Sequence, residues 1–143
     1  MSGDLVEMSN IKLLTVEPLC LQFHFELKKH LSCSFYLKNN SDSNVAFKVK
    51  VTDPSKYIVK PKSGVVPPRS TREVRVTMIA QKEEPSQMQI KEKFMIQSVL
   101  ADLGVTDKEV TDEMFYDGGW RQVEQTILRA TYDFSSTSSC KCL

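Results

Sequence analysis

The sequence predicts an all-β sandwich of short strands with one short helix. Three observations carry that prediction. Apolar residues recur with period two in a succession of short runs. Clusters of Pro, Gly, Asn, Asp and Ser separate the runs and supply turns. A helix-start signal stands at Thr106-Asp107-Lys108-Glu109, which has the S/T-x-x-E form of a capping box.

Taken in order, Met1 to Asn10 read as a polar leader. Leu13, Leu14 and Val16 open the first strand, and Glu17-Pro18 ends or kinks it. Leu19, Leu21, Phe23 and Phe25 alternate with Cys20, Gln22 and His24 as a second segment. Glu26 to His30 is a polar connector, Ser32 to Lys38 a strand, and Asn39 to Asn44 a turn cluster. Val45, Phe47, Val49 and Val51 then point one way, while Lys48, Lys50 and Thr52 point the other. Asp53-Pro54-Ser55 predicts a turn, because Pro lacks a ladder donor and Asp can fold back on its own backbone. Tyr57 to Val59 resume extended chain until Lys60-Pro61 interrupts it. Gly64 closes the segment, where a positive φ is cheap. A proline inside a strand-like run predicts a cis Lys60-Pro61 bond, with Pro61 as a structural residue.

Thr71 to Ala80 is a further strand and Gln81 to Gln89 a loop. Lys91 to Ala101 alternates again, with Phe94 and Ile96 inward and Lys93, Met95 and Gln97 outward. The helix is expected from Asp107 to Met114 or Phe115, stopped by Gly118-Gly119. Phe115, Tyr116 and Trp120 are expected to pack it onto the sandwich. Val123 to Phe134 is the last strand, and Ser135 onward a flexible Ser/Thr-rich tail.

At 143 residues the chain is one domain with enough length for a core. Its formal net charge of +1 sets up no global field toward nucleic acid or membrane, so any electrostatic function comes from local clustering. The four cysteines match neither a disulfide framework nor a zinc-ligand spacing, and read as reduced thiols. The leader lacks a signal-peptide core, and no run approaches the length of a membrane span. The two histidines, His24 and His30, have no nucleophile motif near them and read as surface or edge residues. With no phosphate loop or prominent carboxylate pair, the reading is a non-enzyme without cofactors.

Lysines on both alternating strands, with an outward Met between them, suit a ligand that is acidic and apolar at once. On the residues alone, an ordinary solvated lysine face accounts for the row as well. The two stretches FKVKVTDPSKYIVKPKSGVVPP and EKFMIQS resemble the major sperm protein (MSP) domain, and within it the VAMP-associated proteins of the endoplasmic reticulum. The resemblance runs from about Leu14 to Phe134. It implies a seven-stranded immunoglobulin-like sandwich over residues 11–134. It also implies an adaptor that binds FFAT peptides, two phenylalanines in an acidic tract. By position, Lys50, Thr52, Lys93 and Met95 match that groove, and Lys48 and Lys91 lie beside it. One departure is notable: the family usually has Lys before the Leu-Arg of its last strand, and here Ile127 precedes Leu128-Arg129.

The resemblance places the protein in the cytoplasm, peripheral to the endoplasmic reticulum or plasma membrane, as a monomer or weak homodimer. The rival readings are a self-assembling cytoskeletal protein and a binder of anionic phosphoinositide headgroups. Cys140-Lys141-Cys142-Leu143 has the form C-a-a-X, so Cys140 is a candidate for prenylation. A single lipid chain would anchor only weakly.

Overall fold

The computed structural model describes residues 12–116 and 122–134. Nine strands pack as two sheets: β1 (Leu14–Glu17), β2 (Cys20–His24), β3 (Leu31–Asn39), β4 (Val45–Val51), β5 (Tyr57–Lys60), β6 (Ser63–Val66), β7 (Thr71–Met78), β8 (Gln89–Leu100) and β9 (Glu124–Asp133). One sheet has the order β1-β3-β7-β5 and the other β2-β9-β8-β4-β6. The expected strand number was seven. The difference comes from two prolines. At Pro18 and again at Pro61 the chain leaves the four-stranded sheet and enters the five-stranded one, so one strand is cut in two at each. A proline cannot donate to a ladder, which is why the pairing ends there. Both Glu17-Pro18 and Lys60-Pro61 are cis, the second as its place in a strand-like run predicted.

The period-two pattern fills the space between the sheets. Phe23 of β2, Phe35 of β3, Phe47 of β4, Val74 and Val76 of β7, Phe94 and Ile96 of β8 and Leu128 of β9 are fully buried there. Tyr57 joins them with its ring 4.9 Å from that of Phe94, edge-on. Its hydroxyl donates to Glu92 Oε1 at 2.9 Å. Burial first, and the Glu92 carboxylate second, push the Tyr57 phenol well above its ordinary pKa. Glu92 sits at an irregularity in β8. Ile90 pairs with Ala130 and Phe94 with Leu128, so three residues of β8 oppose the single residue Arg129. This bulge turns Glu92 inward and leaves Lys91 and Lys93 exposed.

Several local expectations change. The capping box forms, with Thr106 N–H donating to Glu109 Oε1 at 2.9 Å, but no α-helix follows. Two 3₁₀ turns, Asp107–Glu109 and Asp112–Phe115, replace it. Val110 is extended between them, at φ −73° and ψ 117°, and packs with Phe115 against Ala46 and Val99 on the outer face of the five-stranded sheet. Packing of this partly buried, β-branched residue against the sheet overrides the helix signal. Phe115 is buried as expected, whereas Tyr116 is exposed. Gly118, Gly119, Trp120 and Cys140 lie outside the described residues.

Gly64 is not a turn glycine. It lies within β6 and is absent from the positive-φ residues among those described. Its reason is steric: an added Cβ would stand 2.7 Å from Arg72 Nη1 and 2.9 Å from Asp107 Oδ1. Those two groups form a bidentate pair at 2.8 and 2.7 Å, and Asp107 also accepts from Val65 N–H at 2.9 Å. The hydrogen bond from Arg72 holds the Asp107 carboxyl below its ordinary pKa. Leu19, expected to alternate into the core, is instead 60% exposed, because β2 begins only at Cys20. Cys33 is a free thiol, but Cys20 is disulfide-bonded, against the expectation of reduced thiols. Such pairing depends on approach through space, which spacing along the chain does not report.

Asn39, read as the start of a turn cluster, is the buried end of β3. Its amide nitrogen lies within 2.8–3.0 Å of the carbonyl oxygens of Ser43, Val66 and Pro67. Its Oδ1 accepts from Ser41 N–H and Oγ–H, both at 2.8 Å. Asn39→Ala would strip a partner from the buried Val66 carbonyl and from the part-buried carbonyl bonds of Ser43 and Pro67. Urea denaturation should show a loss of about 3 kcal/mol, from the cost of leaving buried polar groups unpaired. A loss below about 0.5 kcal/mol, within the range of ordinary surface changes, would show that water takes over these bonds.

Candidate functional site

The candidate residues converge on the outer face of the five-stranded sheet. In β4 the residues that alternate away from the core are Lys48 and Lys50, and Thr52 continues the row. β8 lies antiparallel beside it, with Lys48 opposite Gln97 and Lys50 opposite Met95. Thr52 and Lys93 close the row: Thr52 N–H donates to the Lys93 carbonyl at 3.2 Å, and Lys93 N–H donates to Thr52 Oγ1 at 3.1 Å. Thr52 thus holds the edge of the site in register rather than merely lining it. Lys91 is exposed beyond Lys93, on the bulge.

The far side of the site comes from β9, which sequence reasoning entered only as a departure from the family pattern. Ile127 pairs directly with Met95, and Gln125 with Gln97. Three cross-strand rows result. Lys48, Gln97 and Gln125 form one; Lys50, Met95 and Ile127 form the next; Thr52 and Lys93 lie beyond, with Arg129 two residues past Ile127. Ile127 is 45% exposed and Met95 half-buried, so the two make a partly open apolar pair between cations. Arg129 was not among the expected site residues. The signal for it was period two along β9, since Leu128 and Ala130 are buried and Arg129 is exposed.

The cations differ in what they are free to do. Lys48 is engaged: its Nζ forms an ion pair with Asp112 of the second 3₁₀ turn, and its side chain is only 20% exposed. The hydrogen bond from Lys48 depresses the Asp112 carboxyl pKa, and the charges of Lys48, Lys50 and Lys62 add to it. Lys50, Lys91, Lys93 and Arg129 have no ion-pair partner within 4 Å among the described residues. Gln97, expected to face out into water, does sit on the outer face but is 5% exposed. The turn that carries Asp112 and Phe115 lies over this end of the sheet, with Phe115 on Ala46 and Val99. The open part of the face therefore begins at the Met95 row. No cluster of metal-ligating groups occurs among the described residues. His24 is exposed, and His30 Nδ1 accepts from Ala80 N–H at 2.9 Å. No helix among the described residues is long and apolar enough to cross a membrane.

The MSP (major sperm protein) domain model matches residues 13–119, about three-quarters of the sequence. The chain belongs to the MSP domain family. It is 65% identical over 119 residues to vesicle-associated protein 1-1 of Arabidopsis thaliana, covering 83% of this chain and 46% of that one. It is 59% identical over 132 residues to vesicle-associated protein 3-1 of the same plant, covering 92% and 89%. Vesicle-associated membrane protein-associated protein A of Pongo abelii is 34% identical over 108 residues, covering 76% and 43%. This MSP-domain chain therefore spans about half the length of some relatives and most of another. Among solved structures, WR4, a Caenorhabditis elegans MSP family member, superposes with a TM-score of 0.64 at 19% identity, covering 86% of this chain and all of that one. At that identity the likeness concerns the fold, the immunoglobulin-like sandwich already described.

The Lys48–Asp112 pair generates a test. Asp112→Ala should release Lys48 toward the open face and tighten an acidic peptide by roughly two- to five-fold, the factor set by the typical worth of an exposed ion pair. Calorimetry at low salt reads this. Unchanged or weaker binding would mean that Lys48 does not reach the ligand.

Proposed function

We propose that this MSP domain is a non-enzymatic adaptor whose outer sheet face binds FFAT-like acidic, Phe-containing peptides of partner proteins. The observation that carries the reading is the row Lys50, Met95 and Ile127, a half-buried methionine beside an exposed isoleucine, flanked by a cation with no ion-pair partner and bordered by Lys93. Lysines and Arg129 draw the acidic tract, while Met95, Ile127 and the lysine stems cover an aromatic ring. The names of the relatives support placing this adaptor at vesicle-associated membranes. On this reading it works at the endoplasmic reticulum or other membrane contact sites, in vesicle or lipid traffic.

Ile127 in place of the family lysine changes the balance of the groove. One cation fewer lowers attraction for the acidic tract, and one apolar side chain more enlarges the surface under the ring. A phosphoinositide headgroup would use the same cations but would leave Met95 and Ile127 uncovered. The apolar pair therefore favours the peptide.

The test is the double substitution Lys93→Asp with Met95→Asp. It removes one cation, adds two anions, and places charge where an apolar group must be desolvated. Calorimetry with an acidic Phe-containing peptide should show a loss of several kcal/mol, the order expected for like-charge juxtaposition at an interface. Wild-type affinity should also fall with added salt, since exposed charges are screened. The melting temperature should hold, because both side chains lie on the outer face. Equal affinity in a folded double mutant would place the binding site elsewhere.

A further inference from the structure

At Arg129 the same sheet face opens into a cleft of about 700 Å³ that shares only this residue with the groove. Pro18 and Leu19 form one wall, at the entry to β2, and Gln89 and Ile90 of β8 form the other, with Arg129 and Thr131 of β9 between. Its lining is more apolar than polar, and Leu19 is 60% exposed at its rim. Leu19 has a fixed place there, because its carbonyl accepts from Arg129 N–H at 3.1 Å. The exposed leucine is thus held beside β9 by a backbone bond, not left on a loose loop.

The cleft is in line with the groove. Along β9, Ile127, Arg129 and Thr131 share the outer face, so the order from one end is apolar pair, cationic row, then a cleft whose exposed apolar rim is Leu19, with Ile90 partly buried against the core. The cationic row is dense, because the bulge in β8 sets Lys91 and Lys93 opposite Arg129. These three have no ion-pair partner among the described residues. A single extended peptide with an acidic residue between two apolar ones complements that order in both charge and polarity. Ile127 and Thr131 are four residues apart, about 13 Å on a strand. An extended ligand advances by the same rise, so its two anchors stand four residues apart and its acid two residues from each.

We propose that the cleft at Leu19 and Ile90 is a second apolar anchor site for the peptide that the groove binds. The ligand pattern is apolar-x-acidic-x-apolar. The aromatic ring sits on Met95 and Ile127, the acid on Lys93 and Arg129, and a leucine-sized side chain in the cleft. This rests on the groove reading, and the test keeps the two apart.

Three acidic peptides with a single Phe and an Asp two residues to either side are titrated by calorimetry. One carries Ser four residues before and after the Phe, one carries Leu before it, and one carries Leu after it. Wild type should bind one Leu peptide about ten-fold more tightly than the Ser peptide. Leu19→Asp should abolish that gain, while the uncharged Leu19→Ala should reduce it and leave the Ser peptide unchanged. Both proteins are kept in the same redox buffer, because Cys20 borders the cleft. Leu19→Ala replaces the aspartate should the latter lower the melting temperature, and it should reduce the gain in the same direction. Equal binding of all three peptides to wild type, or a gain that survives in the folded Leu19 variants, overturns the second anchor and leaves the groove standing. Absence of binding by any peptide overturns both. A concentration-dependent dimer that Leu19→Asp abolishes, seen by sedimentation, would assign the cleft to a second copy of the chain and also overturn the proposal.

Discussion

The register of β8 between β4 and β9 is what the outer face depends on. It sets Met95 beside Lys50 on one side and beside Ile127 on the other. It also sends Phe94 and Ile96 into the core. A slip of one residue against either neighbour would turn Lys93 and Met95 inward and Phe94 outward. The core therefore enforces the site: burial of Phe94 against Tyr57, and of Ile96 behind it, fixes where Met95 emerges. Thr52 adds a local pin through its two bonds to the backbone of Lys93. Near Arg129 the register changes at the bulge. The buried Glu92 accepting from Tyr57 holds that irregularity from the inside.

Charge on this protein divides by task. Arg72 is committed to Asp107, Arg69 to Asp42 and Lys48 to Asp112. The first of these ties the turn before Val110 to β6 and β7, and Gly64 is there to make room for it. The second spans the loop around Asn39, though at exposed side chains that add little stability. Lys50, Lys91, Lys93 and Arg129 have no such partner among the described residues. With a formal net charge of only +1, these residues concentrate positive potential locally on an otherwise balanced molecule.

What the sequence made legible follows from local periodicity. Alternation in Val45–Val51 and around Phe94 gave both the strands and their outward residues, since a strand's two faces are written in odd and even positions. The prolines at positions 18 and 61 marked where strands end for the same local reason. The misreadings at Gly64, Gln97, the helix and Arg129 depend on contacts distant in sequence. Gly64 is small because of Arg72 and Asp107, not because of its own φ. Gln97 is hidden although its parity is outward, in a region overlain by the turn about Phe115. The helix after Thr106 is broken where Val110 is drawn onto the sheet. Arg129 joins the site because β9 neighbours β8, a pairing of residues that no local pattern records.

Ile127 shows how affinity and selectivity separate on such a face. A lysine there would add long-range attraction for any acidic chain, an effect shared by every acidic competitor and reduced by salt. An isoleucine beside Met95 adds contact only to a ligand that carries an apolar group at that place, and salt does not screen that contact. Because the pair is flanked by Lys50 and bordered by Lys93, a purely apolar ligand would leave those cations without compensation, and a purely acidic one would leave the pair exposed. Discrimination then lies in satisfying both at a fixed spacing. The sandwich supplies that spacing through the rise of its strands and the pairing of β4, β8 and β9, so on the proposed reading the rigid core, more than any single side chain, would define the pattern of a bound peptide.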